Sequence, residues 1–248
     1  MITQWSAKWQ MPISIKKCSV MLYGNRRISM PSYQLCDCVI SSVDVMKDLG
    51  VMMDSTLKFN AHIDHIVAKA RRRAYLIRKC FVSRDPDLLI RAFNVYVRPL
   101  LEYASPVWSP QYRYQIDKVE SVQRRFTKSL RGYSHLDYPS RLKALALQSL
   151  EKRRLIFDLV FTYKIIFGLI DVPSSVFYKL RCSNNVTTRG NPYKIQVSNC
   201  RVNARLHYFS ERVALVWNSL PPSIIDFGCL SSFKKTLFNV NLNLFTTY

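Results

Sequence analysis

The sequence predicts a mainly α protein with a small N-terminal β element, an α+β class in which a helical bundle is followed by a further helical region. Three observations predict it. From residue 60 onward apolar residues recur at three- and four-residue spacing between capping signals. Before residue 54 the apolar runs are short and end at turn residues. The 248 residues include only six glycines while 48% are apolar, enough for a core and too little glycine for a linker or collagen-like chain.

The elements follow in order. Trp5 and Trp9 stand i, i+4 and suit the end of a helix that Pro12 prevents from continuing. Lys17–Tyr23 reads as a strand closed by Gly24-Asn25, with further strands at Gln34–Ile40 and Leu49–Met53. Asn60 reads as the N-cap of a helix whose inner stripe is Ile63, Ile66, Val67, Ala70, Ala74, Ile77 and Phe81. Asp85-Pro86 opens a second helix, which Pro99 kinks or ends. Pro106 and Pro110 bracket a loop holding Trp108. A third helix points Ile116, Val119, Gln123, Phe126 and Leu130 inward and stops at Gly132. Helices are expected at Ser140–Leu147 and Ser149–Phe167, the latter ended by Gly168. Residues 171–204, with Pro173, Asn184-Asn185 and Gly190-Asn191-Pro192, read as an irregular linker. Two helices close the chain at Leu206–Leu220 and, with Ser231 as cap, Ser232–Leu242.

The charge narrows the function. Lys and Arg total 37 against 16 Asp and Glu, a net +21. Residues 61–170 alone hold 21 basic and nine acidic groups. Such an excess makes a polyanion the first partner to consider, nucleic acid before membrane. Residues 66–84 carry seven basic side chains and no acid, whereas a merely solvating face alternates sign. Lys69, Arg71, Arg72, Arg73, Arg78 and Lys79 form the outer face of the first long helix, and Arg124, Arg125, Lys128 and Arg131 that of the third. Guanidinium forks and ammonium groups meet phosphates irrespective of sequence.

Other chemistries find less support. Seven cysteines, odd in number and without a Cys-x-x-Cys pair, read as reduced intracellular thiols rather than a disulfide frame. The expected setting is therefore the cytoplasm or nucleus. No apolar signal core opens the chain, and the most apolar stretch, 155–170, is broken by Asp158 and Lys164, so no membrane span is expected. His62 and His65 are i, i+3 but lack further ligands nearby, which favours packing over a metal. Cys182, Cys200 and His207 are no better spaced. Phosphate-binding Gly-rich loops and nucleophile elbows are missing, and no Asp-Asp dipeptide stands ready for two-metal phosphoryl transfer.

Several blocks together point to a family. Trp5 and Trp9, then KKCSVMLYG (16–24), KDLGVMMD (47–54), LKFNAHIDHIVAKA (57–70), VRPLLEYASPVWSP (97–110), VESVQRRFTKSLRG (119–132), SLEKRRLIFDLVFTYKIIFGLID (149–171) and WNSLPPSI (217–224) resemble, in order, the reverse transcriptases of LINE-type, non-LTR retrotransposons of the jockey-like branch. In that family the palm's aspartate turn precedes the Trp…Trp helix. The resemblance therefore implies a palm tail with a primer-grip-like strand over 1–54, a thumb-like region over 55–132, a helical C-terminal region over 133–170, the linker over 171–204 and C-terminal helices over 205–248.

The resemblance also assigns roles. Lys17 matches the palm lysine near the incoming nucleotide's phosphates, a candidate general acid for the leaving pyrophosphate, with Lys16 an equal competitor. Gly50 falls in the primer-grip strand, where a missing side chain suits close approach of a nucleic-acid backbone. The partners implied are RNA and an RNA–DNA duplex. Magnesium would be held by palm aspartates, so no cofactor is expected on this chain, and it is not expected to polymerise unaided. The alternatives are a part of an active polymerase whose palm is supplied separately, and a basic helical interaction protein.

Overall fold

The computed structural model describes residues 2–24, 32–35, 38–180 and 191–248. Asn25, Cys182, Asn184-Asn185 and Gly190, all used in the sequence reading, lie outside the described residues, as do positions 36 and 37 of the run Gln34–Ile40. Among the described residues the chain is mainly helical with short strands, and it divides into two compact units, Met1–His62 and Ile63–Tyr248.

The first unit opens with α1 (Ile2–Lys8) and a 3-10 turn at Ile15–Lys17. Its strands are β1 (Ser19–Val20), β2 (Gln34–Leu35), β3 (Cys38–Val39), β4 (Ser41–Ser42), β5 (Val45–Asp48) and β6 (Val51–Asp54). β1 runs parallel to β4, β2 pairs antiparallel with β3, and β5 with β6. Three expectations change here. The strand expected at Lys17–Tyr23 shrinks to Ser19–Val20, and Lys17 ends the 3-10 turn instead. The run Gln34–Ile40 contains two short strands. Leu49-Gly50 forms the turn of a hairpin rather than part of a strand. Both residues have positive φ, 43° and 92°, which matches a two-residue turn to the right-handed strand twist. β5 was missed because Val45, Met46, Lys47 and Asp48 show no clear alternation of apolar and polar residues.

This unit has almost no interior. Among its described residues only Val51 and His62 are buried. The His62 Nδ1 accepts the Met52 N–H at 3.2 Å. Asp54 organises the exit from β6. Its carboxylate accepts the N–H groups of Thr56, Lys58 and Phe59 at 3.0, 3.2 and 2.7 Å, just ahead of α2 (Asn60–Cys80). Asn60 is thus the first helical residue.

The second unit continues α2 and adds α3 (Pro86–Tyr96), α4 (Arg98–Glu102), α5 (Ser105–Trp108), α6 (Arg113–Lys128), α7 (Tyr138–Ala144), α8 (Leu150–Ile166), α9 (Ser174–Phe177), α10 (Asn203–Leu206), α11 (Phe209–Ser219) and α12 (Leu230–Leu237). Asp85 caps α3 by accepting the Leu88 N–H at 2.9 Å, and Ser149 caps α8 through Lys152 N–H at 3.1 Å. Proline at the first turn of α4 permits a new helix immediately after α3 ends. Trp108 is not in a loop: it ends the one-turn α5, 1% exposed, with its indole N–H donating to the Tyr103 carbonyl at 2.7 Å.

α8 is the central strut. Leu150, Ile156, Leu159, Tyr163 and Ile165 are buried on several sides, as befits a helix enclosed by α5, α6, α11 and α12. Tyr163 stacks on Phe167 and Phe233, and Trp217 packs on Phe227 and Phe233. Burial of aromatic rings at such spacing dominates the energetics of this core. The segment expected to be a linker contributes to it. Tyr178, Asn191 and Ile195 are buried, Asn218 exchanges two hydrogen bonds with the Ile195 backbone, and Trp217 donates to the Tyr193 carbonyl. The two closing helices are shorter than expected, and Cys229, not Ser231, accepts the capping Ser232 N–H.

Four charged side chains are interior. Glu120, Arg141, Arg154 and Asp158 are all at most 3% exposed. Arg212 forks onto Asp158 at 2.9 and 3.1 Å. Burial nonetheless holds the Asp158 carboxyl above the usual range and the Arg154 guanidinium below its own.

Candidate nucleic-acid interface

The basic face of α2 is built by a simple periodicity. Ile63, Ile66, Val67, Ala70, Ala74 and Ile77 are all buried, which fixes the helix's rotation about its axis. At 100° per residue the remaining side chains sort into three rows. Arg71 and Arg78, seven residues apart, share one flank with Asp64. Arg72 and Lys79 lie directly opposite the core. Lys69 and Arg73 occupy the other flank. All six are exposed.

The Arg71–Arg78 flank faces α6. Asp64 pairs with Lys118, and the Arg71 guanidinium donates to the Ser121 hydroxyl at 2.9 Å. Arg125, seven residues beyond Lys118, belongs to the same row of α6, so α2 and α6 present a seam with Arg71, Arg78, Lys118 and Arg125 along it. Lys128 is exposed beside this row. The seam ends in a cavity of about 350 Å³ lined by Arg78, Arg84, Leu89, Ser129, Leu130 and Arg131. Three guanidinium groups line it and no carboxylate does. Arg84 is fixed by donating to the carbonyls of Arg78 and Phe81 at 2.7 and 3.3 Å, which closes the C-terminus of α2. The acid-free run 66–84 signalled Arg78 and Arg84. Arg131 joins them only through the packing of α6 on α2.

Not every expected residue lies open. Arg124 is half-buried, with its guanidinium 5.3 Å from the Tyr138 ring centroid and 4.9 Å from that of Tyr248. It was read as outward because α6 carries a polar row there; in the fold that row is covered. Lys17 and Gly50 lie in the first unit and the other expected contacts in the second. Lys17 is exposed and its backbone N–H closes the 3-10 turn onto Ser14. Gly50 is at the β5–β6 turn.

Among the described residues no three His, Cys, Asp or Glu side chains come together. The described residues thus offer no carboxylate cluster of the kind that two-metal phosphoryl transfer uses. Cys18, Cys38, Cys80, Cys200 and Cys229 are free thiols. No described helix is long and apolar enough to cross a membrane.

The chain is similar over about half its length to several known proteins. The chain is 24% identical over 132 residues, 52% of its length, to the RNA-directed DNA polymerase from mobile element jockey of Drosophila funebris. It is 20% identical over 133 residues to the probable RNA-directed DNA polymerase from transposon X-element of Drosophila melanogaster. An uncharacterised protein of Caenorhabditis elegans is 25% identical over 131 residues. The chain is thus a homologue of jockey-like RNA-directed DNA polymerases, in agreement with the resemblance read from its motifs. The aligned part spans 14% and 15% of the two polymerases and 66% of the nematode protein. No protein-family model matches the chain, and no solved structure does.

Proposed function

We propose that this chain is the nucleic-acid-gripping, thumb-like part of a jockey-like reverse transcriptase, and that it holds RNA or an RNA–DNA duplex by its phosphates without polymerising by itself. The observation that carries this reading is the α2–α6 seam, whose three-arginine cavity has no carboxylate in its lining. Guanidinium groups crowded without counter-charge favour a phosphate in the cavity and gain counterion release when a duplex docks. Arg72 and Lys79, directed away from the core, reach phosphates on the same strand.

The chain contributes binding and positioning. Lys17 would donate a proton to leaving pyrophosphate only with a catalytic palm in place, and magnesium would be held by that palm. Two-metal chemistry needs carboxylates converging on the ions, and this sequence has no Asp-Asp pair to supply them.

The experiment is a paired assay on the purified chain. A fluorescent RNA–DNA duplex should bind with micromolar or better affinity at low salt, and a primed RNA template with magnesium or manganese should show no extension. Absence of duplex binding, or extension that persists after contaminating polymerases are removed, would overturn the proposal.

A further inference from the structure

The last segment of the chain lies on α6. After a 3-10 turn at Asn243–Phe245, the Glu151 carboxylate accepts the N–H groups of Thr247 and Tyr248 at 2.7 and 3.2 Å and the Thr247 hydroxyl at 3.2 Å. The Ser149 hydroxyl donates to the Tyr248 carbonyl at 3.2 Å. These bonds set the Tyr248 ring over the α6 row of Arg113, Asp117 and Arg124.

The contacts of that ring are specific. The guanidinium carbons of Arg113 and Arg124 are each 4.9 Å from its centroid, its hydroxyl donates to Asp117, and Tyr138 meets it edge-on at 6.0 Å. Arg113 and Arg124 are eleven residues apart, about 16 Å along a helix and nearly in line around it. The two side chains therefore converge on one aromatic plane from the two ends of the row. The Tyr248 hydroxyl is the leading cause that holds the Asp117 carboxyl below the usual range, so the acceptor stays ionised.

Two guanidinium groups on one ring, with a carboxylate at its edge, do not require tyrosine. They suit any planar π-system bearing an edge donor, which describes a nucleobase with its amino or imino N–H. A second observation lies at the same end of α6. Tyr112 and Tyr114 stack on each other at 5.7 Å and remain 40% and 56% exposed. Exposed aromatic rings beside arginines are the ordinary platform for unpaired bases.

We propose that Arg113, Asp117 and Arg124 form a base-stacking slot for single-stranded RNA, and that Tyr248 fills it in the unbound protein as an intramolecular competitor. The proposal rests on the nucleic-acid reading above and adds a site distinct from the phosphate seam. A ligand of a site that is open only part of the time binds more weakly in proportion to the open fraction. Removing the competing ring therefore tightens binding, the reverse of what loss of an aromatic contact gives.

The test measures anisotropy of a fluorescein-labelled eight-nucleotide oligo(rA) with the full chain. Tyr248→Ala should tighten binding by roughly three- to tenfold, the factor set by a slot open about a tenth to a third of the time. Adding Arg113→Gln and Arg124→Gln should cancel the gain. Tyr248→Phe, which keeps the ring and loses the Asp117 bond, should fall between and serves if the alanine variant melts early. Wild-type binding with unchanged or weaker binding in both Tyr248 variants makes the slot a tail anchor and overturns this proposal alone. No binding by any variant at low salt overturns the nucleic-acid reading with it.

Discussion

Removing the Glu120 carboxylate should unseat α8. Glu120 is 0% exposed on α6, and its carboxylate accepts the Leu150 and Glu151 N–H groups at 3.1 and 3.3 Å and the Tyr138 hydroxyl. It therefore stands at the N-terminus of the helix around which the second unit packs, and it faces the buried Arg154. In Glu120→Ala those donors lose their partner in the interior, at about 1–3 kcal/mol each. Arg154 also loses one of the four carboxylates whose charge it feels. The terms overlap, and we expect a total of about 4–6 kcal/mol, a large share of a domain's stability. Glu120→Gln keeps the shape and one carbonyl acceptor and should cost about 1–2 kcal/mol at neutral pH. Burial raises the Glu120 pKa, against the hydrogen bonds and Arg154 that lower it. A raised folded-state value adds stability at low pH that is lost as pH rises through it. The Gln variant lacks this dependence, so the gap between wild type and Glu120→Gln should widen as pH falls from neutral through the folded-state titration. Urea unfolding followed by far-ultraviolet circular dichroism, at several pH values, measures each. A Glu120→Ala loss below 1 kcal/mol would refute the reasoning, because it would mean that water or another group satisfies those donors.

Two further outcomes follow from local geometry. Gly168 ends α8 at φ 65°, with the Leu169 N–H bonded to the Lys164 carbonyl and open space where a Cβ would stand; Gly168→Ala should cost about 1–2 kcal/mol in thermal or urea unfolding, from left-handed backbone strain alone. Burial raises the Asp54 pKa, but the Thr56 hydroxyl and the Thr56, Lys58 and Phe59 N–H groups outweigh it and leave the value lowered. That stability is present above the ordinary aspartate range and is lost as pH falls through the folded-state value, so hydrogen exchange at Lys58 and Phe59 should rise at acid pH more than expected from chemistry alone, and Asp54→Asn should remove the effect.

The helices were legible because their signals are local. The α2 stripe, the Asp85-Pro86 start and the glycine stop at 168 are all written within a few residues of the element they define. The strands of the first unit were not, since two- to four-residue strands hold too few positions for a period. The candidate interface divides the same way. The exposed rows of α2 follow from periodicity once the buried stripe is known. Arg131 in the cavity and the covering of Arg124 by Tyr248 depend on contacts over dozens of residues, which spacing does not encode. The burial of Glu120 and Asp158 is likewise not local, since Glu120 accepts from the Leu150 N–H and Asp158 from Arg212, each dozens of residues away.

The salt dependence of duplex binding tests the phosphate grip most directly. Anisotropy of an RNA–DNA duplex should be followed from about 50 to 200 mM salt for wild type, for Arg72→Gln/Lys79→Gln and for Arg78→Gln/Arg131→Gln. Each lost phosphate contact should flatten the slope of log affinity against log salt by about 0.7–0.9, so each double variant should lose roughly 1–2 units while its circular dichroism stays helical. Unchanged slopes in both variants, with the fold intact, would contradict the account and place the polyanion on another surface.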